Sequence, residues 1–236
     1  MTKVEMRKHI LAAIAPICEE HQYQRMPKHF GFYKIRDGVM SFVLFDNRIA
    51  GFVSGIYVMP LYIPNENLVL DYGNQIWRMN IRNLKQYVLD CDMPDEEILQ
   101  HLENIKYYLQ ETGLSLLEHF GTPQGVIESI SRKKHPVDFF FTDAKHLHVA
   151  ATFSYFYCGN AKKGLSCYKK LLSILRDPAY GSVRAAEQQV LEQLIAAPSE
   201  AETTLKQIYQ ETMEALHLPE MGERVQLSSS ATNKTE

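Results

Sequence analysis

The hydrophobic pattern of this chain turns from strand-like to helical near residue 83, and that change limits the folds open to it. From Phe30 onward, β-prone runs alternate with turn signals; beyond Asn83, apolar residues recur at helical spacing. Residues 30–36 and 39–45 flank Asp37-Gly38, a dipeptide that accepts the positive φ of a two-residue hairpin. Asp46-Asn47-Arg48 is a second turn signal, followed by a β-prone run over 49–62. Gly51 and Gly55 inside that run predict a bulge or bend. Pro60 and Pro64 force a loop, and residues 67–79 complete a four-stranded antiparallel meander. The run 39–45 (Val-Met-Ser-Phe-Val-Leu-Phe) is apolar on both faces, which predicts a central strand with helical cover.

Helices surround this block. Val4, Leu11, Ile14 and Cys18 predict an N-terminal helix that Pro16 should kink or end. Ile98, Leu99, Leu102, Ile105 and Leu109 form one stripe, with Pro94, Asp95, Glu96 and Glu97 in the first turn and Gly113 as the expected stop. Further helices are expected over 114–120, after Pro123, and over 137–158, 161–175, 183–196 and 200–216. Ser199-x-x-Glu202 reads as a capping box for the last. The class is therefore α+β: an N-terminal helix and four-stranded antiparallel meander packed with helices, then a C-terminal helical region. Arg132-Lys133-Lys134-His135-Pro136 marks the expected boundary, giving an α+β domain over 1–135 and a helical region over 136–221. Residues 222–236 lack core material and are expected to be disordered.

With 236 residues, 45% of them apolar, the chain needs neither metal nor disulfide to hold a core. Its 25 basic and 28 acidic residues are interspersed, so no nucleic-acid partner is expected. Cys18, Cys91, Cys158 and Cys167 have neither zinc-ribbon nor disulfide-scaffold spacing and read as reduced thiols. No apolar run, including the one that follows the charged first nine residues, reaches membrane-spanning length. A cytoplasmic protein without signal peptide or membrane partner is expected.

Motifs that carry chemistry are absent. Asp90, Asp92, Asp95, Glu96 and Glu97 fail the calcium-loop pattern, because Pro94, Glu96 and His101 stand at ligand or glycine positions. Asp143, His146 and His148 look metal-like, but histidines two apart on a helix diverge. No metal and no cofactor are expected. There is no nucleophile elbow, phosphate loop or dinucleotide fingerprint. Asp71 is a carboxylate without an identifiable partner in the sequence.

One stretch is more specific. Tyr155-Phe156-Tyr157 leads through Cys158-Gly159-Asn160 to Gly164, Leu165, Tyr168 and Leu171-Leu172, closing at Asp177-Pro178. Over 145–178 this resembles a single tetratricopeptide repeat, with Gly159 as a left-handed cap, Gly164 at the helix approach, and Tyr155 and Tyr168 between the helices. It departs from the pattern at His148, Ala151 and Thr152, and its proline arrives late. The resemblance implies a groove-facing set of His146, Val149, Phe153, Phe156 and Tyr157, which either packs on the β-rich half or receives a protein partner. The front half resembles a bacterial domain of unknown function through residues 58–64 (Val-Met-Pro-Leu-Tyr-Ile-Pro) and 70–74 (Leu-Asp-Tyr-Gly-Asn). That likeness implies no activity. The functional expectation is a non-catalytic interaction or regulatory protein. The alternatives are an enzyme with dispersed participants such as Asp71, His29, His119 or His146, and a toxin-neutralising antagonist.

Overall fold

A computed structural model describes residues 1–75, 87–131 and 144–218. Helix α1 (Lys3–Glu20) starts at a capping box: Glu5 N–H donates to Thr2 Oγ1 and Thr2 N–H donates to Glu5 Oε2. It does not end at Pro16. Proline deprives the carbonyl of Ala12 of its donor, but both residues are exposed, so that carbonyl lies on the solvent side. The buried face is Met6, Ile10, Ile14, Ile17 and Cys18; Val4, expected on it, points outward.

The sheet is antiparallel, in the order β1 (Gln24–Arg25), β2 (Gly31–Arg36), β3 (Val39–Asn47), β4 (Gly51–Pro60), β5 (Gly73–Gln75), with β6 (Val88–Asp90) also paired to β4. Asp37 and Gly38 turn the first hairpin at φ 50° and 78°. Strand β3 is buried from Val39 through Phe45 and lies between β2 and β4, the central place its sequence predicts. The expected bulge in β4 is absent: pairing runs unbroken from Val39↔Pro60 to Asn47↔Phe52. Gly51 instead permits close approach, since a Cβ there would lie 1.9 Å from the Leu89 carbonyl oxygen of β6. The expected fourth strand begins later than predicted, at Gly73. Among the described residues of that stretch, Gly73–Gln75 pair with Gly55–Tyr57 of β4, and β6 takes Gly51–Val53 of the same edge. Residues 76–79 lie outside the described part.

Helix α2 (Asp95–Tyr108) carries its three acids in the first turn, where they favour the positive end of the helix dipole. Gly113 does not stop it. Leu109–Gly113 form a π-helical turn that leads directly into α3 (Leu114–Phe120), and Gly113 keeps right-handed angles of −63° and −47°. A stop would need the left-handed conformation that Gly113 does not adopt. Helix α3 packs on β3 and β4, and α4 (Pro123–Ser131) packs on α5 (Ala144–Tyr157). Then come α6 (Ala161–Ile174), α7 (Ala185–Ala196) and α8 (Ala201–Ala215). The expected Ser199 box does not form: residues Pro198–Glu200 make a 3-10 turn, and α8 has no side-chain cap.

Buried apolar side chains form one cluster that includes Ile10 of α1, Phe42 of β3, Leu117 of α3, Phe153 of α5 and Leu205 of α8. The expected boundary at 135/136 and the tail 222–236 lie outside the described residues. No helix among the described residues is long and apolar enough to cross a membrane.

Candidate functional site

The hairpin face singled out by its aromatics is mostly interior. Val149, Phe153 and Phe156 are buried, while His146 and Tyr157 are partly exposed. Gly159 takes the left-handed cap at φ 71°, with Asn160 N–H donating to the Tyr155 carbonyl at 2.8 Å. Gly164 lies against the Phe156 ring, where a Cβ would come within 2.8 Å of the ring. Phe156 therefore fills the space between the helices, in place of the expected Tyr155, which stays partly exposed near Lys163. The outer side of α5 closes against the sheet end. Ser154 Oγ donates to the Ala150 carbonyl, so the 2.6 Å contact with Tyr62 has the tyrosine hydroxyl as donor. The Tyr62 and Tyr157 rings stack at 4.1 Å. Of the five predicted groove residues, three are core and two keep partial exposure.

The dispersed catalytic candidates separate. His119 Nε2 lies 3.5 Å from Glu128, and His146 Nε2 lies 3.8 Å from Asp71. The second distance is too long for a hydrogen bond, so Asp71 and His146 are neighbours without the geometry of an acid–base couple. Beside them, Arg184 donates to Glu187 at 2.9 Å, and Glu187 is buried. Burial works against the Arg184 charge, but the hydrogen bond and charge of Glu187 outweigh it, and the Arg184 pKa is raised. This pair starts helix α7. His148 lies 2.8 Å from the Ala144 carbonyl, away from His146, and Asp143 is outside the described residues. Among the described residues, no group of three His, Cys, Asp or Glu is placed to hold a metal ion.

His29 leads elsewhere, to a cleft of about 530 Å³ between α1, the loop 26–30 and the far end of the β3–β4 hairpin. Its position follows from the first turn of α1. The Thr2–Glu5 box phases the helix so that Lys3 and Arg7 continue, at three- and four-residue spacing, the stripe of Ile10, Ile14 and Ile17. The apolar face of α1 thus ends in two cations. Lys3 Nζ donates to Asn47 Oδ1 at 2.8 Å and to the Arg48 carbonyl, tying α1 to the hairpin. Arg7 lies over Phe30, its guanidinium carbon 4.4 Å from the ring centroid.

The floor is aromatic. Phe30 meets Phe52 edge-on at 5.1 Å and Phe45 at 5.6 Å. Phe45 N–H donates to the Phe30 carbonyl at 2.8 Å, which fixes the loop above the sheet. Gly31 makes this possible, because a Cβ there would strike the Val43 carbonyl oxygen at 2.3 Å. Pro27, Lys28 and His29 form the exposed opposite wall.

Charge in the cleft is unbalanced. Its one acid, Asp46, is paired with Arg48 at 2.7 Å. Among the described residues, Lys3, Arg7, Lys28 and His29 have no carboxylate within salt-bridge distance. The chain as a whole carries a net charge of −3, so this is a local concentration of positive charge. The arrangement can hold an anionic group above an apolar floor. No family model, no curated protein and no solved structure matches the chain.

Proposed function

We propose that this protein is a non-catalytic interaction protein, and that another polypeptide docks in the cleft bounded by α1, the loop 26–30 and the β3–β4 hairpin. The observation that carries this reading is a group of basic side chains that have no carboxylate partner among the described residues, with Arg7 over Phe30 and Lys3 near Phe52, around an open depression. A fold gains little from cations gathered where no carboxylate answers them, whereas a recognition surface uses both the charge and the aromatic floor. The tetratricopeptide-like hairpin then serves as a brace for the sheet, with its aromatic residues spent on internal packing.

Site-specific photo-crosslinking in the native host tests this. A benzophenone side chain at Val4, on the cleft rim and 67% exposed, should crosslink to another polypeptide. The same group at Leu172, exposed on α6, should not. No adduct from position 4, or equal adducts from both positions, would sink the reading.

A further inference from the structure

Resting on that docking reading, we infer that the occupant of the cleft is an acidic segment of another protein that carries an apolar side chain among its carboxylates. Lys3 spends its donors on two neutral oxygens, Asn47 Oδ1 and the Arg48 carbonyl, so its charge stays uncompensated. Arg7 touches Phe30, and a guanidinium held over a ring still donates from its edge, the geometry that takes a carboxylate in two parallel hydrogen bonds. Lys28 and His29 face them from the other wall. Beneath, Phe30 keeps part of its ring exposed, backed by the buried Phe45 and Phe52, and offers an apolar or aromatic side chain an edge contact.

The surface continues past the cavity. Val4 is 67% exposed on the rim, and Ile49, next to the Arg48 whose carbonyl Lys3 holds, is fully exposed. A small free anion would leave both in water; a chain segment covers them. A nucleic acid fits less well, because a few cations around one depression do not make the basic stripe that tracks a phosphate backbone.

The test is NMR titration of the isotope-labelled full chain with three blocked peptides, Glu-Glu-Phe-Glu-Glu, Gln-Gln-Phe-Gln-Gln and Lys-Lys-Phe-Lys-Lys, and separately with citrate and a short oligothymidylate. The acidic peptide should shift the amides of 26–30 and 44–47, with affinity that falls as salt rises. Arg7→Gln or Lys28→Gln, both at exposed positions, should weaken it about tenfold. Binding of the neutral or basic peptide at least as tightly would overturn the acidic inference and leave the docking reading standing. Binding of citrate or oligothymidylate at the cleft with no response to any peptide would overturn both, as would silence from every probe.

Discussion

Two aromatic clusters in this molecule have opposite fates. At the junction of sheet and hairpin, Tyr62 stacks on Tyr157, Phe153 and Phe156 are buried, and the Tyr62 hydroxyl is satisfied by Ser154. At the other end of the β3–β4 hairpin, Phe45 and Phe52 are buried against Phe30, which stays partly exposed under Arg7 at the edge of the open cleft. Aromatic content is similar in the two places. What differs is the neighbour: a packed helix in one, long charged side chains in the other. An aromatic patch becomes a candidate recognition surface when the groups around it are charged and have no carboxylate partner.

Three measurements would break or sharpen this contrast. Alkaline pH should have the largest effect. Burial holds the phenols of Tyr62, Tyr72, Tyr23 and Tyr108 above their ordinary range and pushes the Cys18 thiol from an ordinary 9.0 to about 12. The folded state keeps these protons where the unfolded chain releases them, so their contribution is whole below about pH 9 and is lost as pH rises through the alkaline range. Tyrosinate absorbance should lag and then rise together with loss of circular dichroism. Full ionisation of every tyrosine near pH 10 with the fold intact would show that the junction is not sealed.

Next is Phe153→Ser. The side chain has no exposed surface, so the substitution should cost about 3–5 kcal/mol in urea unfolding. A cost under ~1 kcal/mol would mean that α5 does not close on the rest of the core. The smallest effect belongs to the cleft: Arg7→Ala with Lys28→Ala should change stability by no more than ~0.5 kcal/mol, as exposed positions do. A larger loss would make these cations props of the fold and dissolve the contrast.

Much of the fold was legible locally. Asp37-Gly38 demanded its hairpin, the apolar run 39–45 its central place, and the three- and four-residue spacings their helices. The errors came where distant chain decides. Gly51 reads as a bulge until β6 is seen lying across it, and Gly113 reads as a stop until its right-handed angles are known. The hairpin aromatics were legible as a face, but which surface covered them depended on Tyr62, far away in sequence. The cleft was barely legible. His29 stood out only as a dispersed histidine, and Lys28 carried no signal. The one clue was the Thr2–Glu5 box, which sets the phase of α1 and makes Lys3 and Arg7 the polar end of its apolar stripe.

The bond between Tyr62 and Ser154 joins residues 92 positions apart, and that separation has a consequence for the order in which the molecule is made. Everything that lines the cleft lies between Lys3 and Phe52, so a ribosome has synthesised all of the cleft before the first residue of the bracing hairpin emerges. The β2–β3–β4 meander closes through contacts near in sequence and can pair early. Tyr62, in contrast, must wait for α5. During that interval the cleft end of the nascent chain can take shape while its opposite end still exposes aromatic surface, and that late-closing end is where a chaperone would find its grip.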